Sequence, residues 1–118
     1  MDMSVKYIAL LIGISVLSAC KHDDMSPSYV KVYKHDGSVQ CASAGVAPHV
    51  MAAELINAGI NVICSQKGHD GMNRIAMCGA ATGNINIYTI NMASLPAAES
   101  INFKSVRNIS EYQDQKCG

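Results

Sequence analysis

The N-terminal segment sets the strictest limit on what this chain can fold into. A short start containing Lys6 leads into an apolar run over residues 7–19, and charged residues follow directly after Cys20. A spanning helix needs about 20 apolar residues, so this run is too short to cross a bilayer. A lysine-bearing start, a short apolar run and a small-residue cleavage site describe an export signal instead. Removal of that signal leaves about 100 residues, enough for one small domain.

The segment Leu17-Ser18-Ala19-Cys20 resembles the lipobox of bacterial lipoproteins. An ordinary signal peptide is the alternative, but it has no need of a cysteine at this place. The resemblance implies cleavage before Cys20, with diacylglycerol on its sulfur, an acyl chain on its amino group and no other cofactor. It also implies that residues 1–19 are a signal peptide and residues 20–28 a lipidated tether. Residues 29–118 are then expected to form a single α+β domain, for the reasons of periodicity given below.

The residue after the cysteine bears on location. In enterobacterial lipoproteins, a residue other than Asp at this place is associated with transfer to the outer membrane, and the residue here is Lys21. The resemblance therefore implies a lipid anchor in the bacterial cell envelope, on the outer membrane, facing the periplasm or the cell surface. The membrane would be a partner through the lipid alone.

The remaining cysteines agree with export. Their number is even, and small domains in oxidising compartments use such cysteines as disulfides. The four are Cys41, Cys64, Cys78 and Cys117. They allow three connectivities; we favour Cys64 with Cys78, which would close a hairpin, and Cys41 with Cys117. A zinc site is weakly supported, because the spacings match no zinc finger or ribbon.

Charge argues against a nucleic-acid partner. The chain has nine basic and nine acidic residues and no Trp. Nucleic-acid-binding domains show a basic patch, often with aromatic side chains that stack on bases. We therefore expect no nucleic acid among the partners.

Periodicity predicts alternating strands and helices. Residues 29–34 alternate as a half-buried strand does, residues 38–41 are a candidate for a short second strand, and Pro48 to Ala58 has helical spacing with Gly59 as its C-terminal stop. Residues 60–65 and 74–78 are predicted to form a hairpin, and residues 84–90 a central strand that is apolar on both faces. A second helix near Pro96 and a last strand over 103–109 complete the set.

These elements, with a short internal echo between residues 52–60 and 97–103, predict a fold. Two split βαβ halves indicate a ferredoxin-like α+β sandwich, here with an extra hairpin and two disulfides. Both helices would lie on one face of the sheet. The other face would be open to a partner or a second copy.

The tripeptide His-Asp-Gly occurs twice, and its four polar residues are the only candidate metal ligands with a pattern. They are His35 and Asp36, and His69 and Asp70. Asp-Gly is ordinary turn chemistry, and adjacent residues in a strand project apart. No metal site is therefore the leading prediction, with a metal-binding protein or metal-dependent enzyme as the alternative.

No enzyme motif stands out. Gly-x-Ser-x-Gly is absent, and a cysteine nucleophile would need a free thiol. We expect a non-enzymatic binding module with a protein partner in the envelope, either an inhibitor of an envelope hydrolase or a structural accessory. The expected partner loop, residues 66–73, includes Lys67, His69, Asp70 and Met72. A redox protein with a labile Cys64–Cys78 pair is a third reading.

Overall fold

Five strands and two helices make up the part of the chain that the computed structural model describes, residues 28–109, 111–114 and 117. The strands are β1 (Tyr29–His35), β2 (Val62–His69), β3 (Asn84–Asn91), β4 (Lys104–Ser105) and β5 (Gln113–Asp114). The helices are α1 (Pro48–Asn57) and α2 (Leu95–Ser100), with 3₁₀ turns at Met92–Ser94 and Val106–Asn108. The predicted α+β class is confirmed. The predicted lipobox, signal peptide and most of the tether lie outside the described residues.

All neighbouring strands are antiparallel, in the order β4-β1-β3-β2-β5. β3 lies at the centre, as its sequence predicted, because it has apolar side chains on both faces. Val32 pairs with Tyr88 on the face that the helices cover, and Tyr33 pairs with Ile87 on the other. The side chains of Ile87 and Tyr88 are both fully buried.

Helix α1 begins and ends where local sequence signals place it. Pro48 occupies its first turn, where a missing N–H costs no hydrogen bond. At the end, Gly59 has φ +83°, its N–H donates to the Ile56 carbonyl, and the Ile60 N–H donates to the Leu55 carbonyl at 3.0 Å. This is the Schellman closure. It turns the chain so that Ile60 packs into the core ahead of β2.

The main core lies between the helices and the sheet. Tyr88 is at its centre, with its ring edge-on to Phe103 at 5.8 Å between centroids, and its hydroxyl donates to the Pro48 carbonyl at 2.6 Å. The other buried members of this cluster are Val30, Val32, Met51, Ala52, Leu55, Ile60, Ile90 and Ala98. None of the helices within residues 28–109 has the length and apolar character needed to span a membrane.

The sequence led us to expect that the opposite face of the sheet is open, but the structure shows that it is covered. Ile85 and Ile87 are fully buried on that face, against Val106, with Ile109 and Tyr112 packed beside them. Because β4 lies at one edge of the sheet and β5 at the other, the chain between them crosses this face. The expected docking surface is therefore covered by the protein's own C-terminal segment.

The predicted hairpin is wrong. β2 continues to His69, residues 74–78 form no strand, and β2 pairs instead with β3. Residues 70–83 form the long connection between these two strands. The predicted strand over 38–41 is a turn with two isolated bridges, and the predicted strand over 103–109 is shortened to β4 and a 3₁₀ turn.

The predicted disulfide pairing is also wrong, although two disulfides form. Cys41 pairs with Cys78 across 5.0 Å between Cα atoms, and Cys64 pairs with Cys117 across 5.7 Å. Without the predicted hairpin, nothing brings Cys64 to Cys78. The Cys64–Cys117 bond instead ties the end of the C-terminal segment to β2.

Candidate functional site

The two His-Asp-Gly segments meet at one end of the sheet. β1 ends at His35 and β2 ends at His69, and both strands end on the same side of the sheet. The aspartate that follows each histidine therefore leaves the sheet at that end. His35 Nε2 lies 2.8 Å from Asp70 Oδ2, which joins the two segments directly. The Asp70 side chain is 4% exposed, whereas that of His35 is 51% exposed. A buried carboxylate thus orients an imidazole that faces solvent.

Asp70 holds the start of the following loop. Arg74 donates to both carboxylate oxygens, at 2.8 and 2.7 Å, and the Met72 N–H donates to Oδ1 at 3.0 Å. The N–H of Gly71 donates to Nδ1 of His69 at 2.9 Å. A bidentate arginine is the strongest common partner of a carboxylate. These contacts fix the backbone where it leaves β2.

Asp36 makes a second, separate network. Its carboxylate accepts from Lys67 on β2 and from the Ser38 N–H, and Lys67 also donates to the buried Asn86 at 3.0 Å. Lys67 is therefore engaged in the fold, although it was predicted to face a partner. The amide of Asn86 donates in turn to the Val46 carbonyl at 2.9 Å.

The four predicted metal ligands thus divide between two networks. Asp70 is bound to Arg74, Asp36 is bound to Lys67, and His69 Nε2 lies 3.0 Å from the Thr82 carbonyl. Across residues 28–109, 111–114 and 117, no three His, Cys, Asp or Glu side chains are grouped so as to hold a metal ion. The contact between His35 and Asp70 is the one convergence that the repeated tripeptide produces.

A cleft of about 330 Å³ opens beside this contact. Tyr33, His35 and Met72 line it together with the C-terminal segment at Ile109 and Glu111. The arrangement can orient the exposed imidazole for proton transfer or for a hydrogen bond. At this cleft the end of β1, the start of the connection between β2 and β3, and the C-terminal segment lie together.

Both aspartates are held in their charged form. The hydrogen bonds from Arg74 hold the pKa of Asp70 well below its ordinary range, against burial, which would raise it. Burial alone would raise the pKa of Asp36, but the hydrogen bonds from Lys67 and Ser38 outweigh it and lower the pKa. Since the unfolded chain binds protons to these groups at higher pH than the folded chain does, acid favours unfolding.

We therefore expect stability to fall in acid through Asp70. Its contribution is fully present above about pH 5 and is lost as the pH falls below the unfolded value of about 4. Asp70→Asn should lower the free energy of unfolding by about 1–3 kcal/mol at pH 7, because it removes the negative charge and one of the two oxygens that accept from Arg74 and contact His35, and should make stability less sensitive to acid. Urea denaturation from pH 7 to pH 3 measures both effects.

Asp114→Asn is the matched control, since the side chain of Asp114 makes an exposed ion pair with Lys31, and such a pair contributes little to stability. An Asp70→Asn variant with the same acid dependence as the wild type would contradict the assignment.

Beyond Asp70, residues 71–79, named here the 71–79 loop, are all exposed. Three of them present large apolar side chains to solvent: Met72 at 62%, Ile75 at 73% and Met77 at 59% exposure. Such side chains normally pack in a core, so three of them in one exposed loop make the loop a candidate interaction site. Ile75 and Met77 were predicted to lie in a strand, so their exposure was not predicted from the sequence.

Despite its exposure, the 71–79 loop is braced at both ends. Its start is held by Asp70, and its end by the Cys41–Cys78 disulfide and by a hydrogen bond from the Gly79 N–H to the Gln40 carbonyl at 2.9 Å. In between, the Gln40 side chain donates to the Ile75 carbonyl at 3.0 Å and accepts from the Met77 N–H at 2.9 Å. The apolar side chains therefore project from a fixed backbone.

The exposed loop lies further along the chain than the predicted partner loop over residues 66–73. Of its four named residues, Lys67 and His69 lie on β2, Asp70 is buried, and only Met72 lies on the 71–79 loop. In the sequence, the signal for this exposed group is the run from Gly71 to Cys78, which carries three large apolar residues next to a cysteine.

No protein-family model, curated protein or solved structure matches the chain.

Proposed function

We propose that the protein is a lipid-anchored binding module of the bacterial cell envelope, that the 71–79 loop recognises a protein partner, and that the partner is a hydrolase which the module inhibits. The observation that carries this proposal is the combination of exposure and bracing in one loop. Ile75 is 73% exposed, yet its carbonyl is held by Gln40 and the loop is closed by the Cys41–Cys78 disulfide.

Bracing favours binding for an energetic reason. A mobile loop loses conformational freedom when it binds, whereas a loop already fixed in its bound shape avoids much of that cost. Binding energy at protein interfaces is concentrated in a few side chains that fill pockets on the partner. Ile75, with Met72 and Met77 beside it, supplies such anchors.

The anchor proposal follows from the lipobox resemblance. Lipid on Cys20 and a tether over residues 20–28 would hold the domain, which begins with β1 at Tyr29, close to a membrane surface. Lys21 favours the outer membrane. A domain held in this way meets envelope proteins at high effective concentration.

The proposed fold type is the ferredoxin-like split βαβ sandwich. It is supported by the strand order β4-β1-β3-β2, by α1 between β1 and β2, and by α2 between β3 and β4. In this proposal β5 and the C-terminal segment are additions that cover the second face of the sheet. In this proposal residues 71–79, between β2 and β3, stay exposed.

The test compares three forms of the protein, each expressed from the whole sequence and extracted from membranes with detergent: wild type, Ile75→Ser and Ile56→Ser. Ile56 is a matched control because it is also an exposed isoleucine, 58% exposed, and lies on α1 rather than on the loop. We expect wild type and Ile56→Ser to retain the same envelope hydrolase and to inhibit it. Ile75→Ser should bind it at least about tenfold more weakly, the effect of losing one anchor side chain.

The same preparation reports on the anchor. Its intact mass should correspond to a chain that begins at Cys20 and carries acyl chains. Equal retention by all three forms would contradict the role of the 71–79 loop, and a mass that includes residues 1–19 would contradict the anchor.

A further inference from the structure

The 71–79 loop carries two of the four methionines in the part of the chain that the structure describes. Met72 is 62% exposed and Met77 is 59% exposed, whereas Met51 is 4% exposed in the main core. Met92 is partly buried and packs against the same core. The two thioether sulfurs of the loop are therefore the ones that a dissolved oxidant reaches first.

The cysteines of the domain do not compete for such an oxidant. All four cysteines in the described ranges are joined in disulfides, Cys41 with Cys78 and Cys64 with Cys117. A cysteine reacts with peroxide as a thiolate, and a disulfide offers no thiolate. Among the described residues, oxidation at sulfur is thereby directed to Met72 and Met77.

Oxidation at these two sites changes the surface of the loop and leaves its backbone in place. Neither Met72 nor Met77 belongs to the two buried apolar clusters of the described residues. The hydrogen bonds that hold the two residues use their backbone N–H groups, which donate to Asp70 and to Gln40. A sulfoxide replaces an apolar thioether by a polar group. The side chains before and after Ile75 therefore become polar while the loop stays braced.

We infer that Met72 and Met77 form an oxidation site that controls the 71–79 loop: peroxide converts both thioethers to sulfoxides, and the loop then releases its partner. This inference rests on the proposed binding function and adds its regulation. In each step one oxygen atom of hydrogen peroxide is transferred to sulfur as the O–O bond breaks, so sulfur is oxidised and the peroxide is reduced to water. A methionine sulfoxide reductase reverses the step: two thiols supply the electrons and become a disulfide, and the oxygen leaves as water.

The test treats the membrane-extracted wild type with dilute hydrogen peroxide and maps the sulfoxides by mass spectrometry of its peptides. Met72 and Met77 should be oxidised at least about tenfold faster than Met51, which reacts only when the core opens. Oxidised wild type should bind the envelope hydrolase at least about tenfold more weakly. Reduction by the two classes of methionine sulfoxide reductase, one for each sulfoxide epimer, should restore binding, with an unoxidised sample carried through the same treatment.

The double variant Met72→Leu with Met77→Leu is the matched control, because leucine keeps an apolar side chain of similar volume and has no sulfur. It should bind the hydrolase as wild type does, before and after peroxide, although Met51 and Met92 are still present. Circular dichroism and the absence of free thiols check that every sample remains folded with its disulfides intact.

Three results would overturn the inference. They are oxidation of Met51 as fast as that of the loop methionines, unchanged binding by oxidised wild type, and equal sensitivity to peroxide in the double variant. The proposed function survives each of these results if Ile75→Ser still reduces retention of the hydrolase. If Ile75→Ser has no such effect, the proposed function is wrong and the inference with it.

Discussion

Replacing Phe103 by Ala is expected to lower the free energy of unfolding by about 3–5 kcal/mol, the usual cost of removing a fully buried aromatic ring. Phe103 is the only Phe in the chain, there is no Trp, and its side chain is fully buried. It packs edge-on against Tyr88, and Lys34 Nζ lies 5.0 Å from its ring centroid. A domain of this size has a total stability of about 5–15 kcal/mol, so the variant loses much of it.

Urea denaturation followed by far-ultraviolet circular dichroism measures the loss. Tyr29→Ala is the matched control, since Tyr29 is an aromatic residue with about half of its surface exposed, and it should change stability by no more than about 0.5 kcal/mol. A loss below about 1 kcal/mol in Phe103→Ala would show that the ring does not fill the space between the helices and the sheet.

Removing the Cys41–Cys78 disulfide is expected to have two effects. The double change Cys41→Ala with Cys78→Ala should cost about 4 kcal/mol, because a bond between residues 37 positions apart restricts the unfolded chain strongly. It should also weaken the binding of the partner by at least about tenfold, because the 71–79 loop loses the bond that closes it. Urea denaturation measures the loss of stability, and an affinity measurement on the folded variant measures the loss of binding.

The second disulfide provides the control. Cys64→Ala with Cys117→Ala opens a bond between residues 53 positions apart, so it should also cost about 4 kcal/mol. That bond closes neither end of the 71–79 loop; it holds the C-terminal segment, which lies beside Gly71 at the start of the loop. Under conditions where both double variants are folded, only the first should bind weakly. Equal affinity in the two variants would contradict the bracing role of Cys41–Cys78.

Local signals in the sequence predicted the elements that local physics determines. Alternation gave β1, because Val30 and Val32 point into the core while their neighbours do not. Helix α1 followed from Pro48 at its start and Gly59 at its end, and both residues act as expected. The central position of β3 followed from apolar side chains on both of its faces.

Features that depend on distant parts of the chain were not predictable in the same way. The path of the C-terminal segment is set by its packing on Ile85 and Ile87, and nothing in residues 106–112 alone indicates it. The disulfide pairing depends on that path, because it brings Cys117 to Cys64. Four cysteines alone leave three pairings open.

The candidate site shows the same division. The repeated His-Asp-Gly was recognised as turn chemistry, but only the fold brings His35 to Asp70. Ile75 and Met77 were read as strand residues because apolar side chains usually pack inside. Here they face solvent on a braced loop, a departure from local rules of the kind that marks functional sites.

The most direct measurement of the central claim is the dissociation constant of the captured partner for wild type, Ile75→Ser and Ile56→Ser by isothermal titration calorimetry. The account predicts that Ile75→Ser raises the dissociation constant at least about tenfold. It also predicts that Ile56→Ser leaves the constant unchanged within about twofold. Equal constants for wild type and Ile75→Ser would contradict the claim that the 71–79 loop is the recognition element.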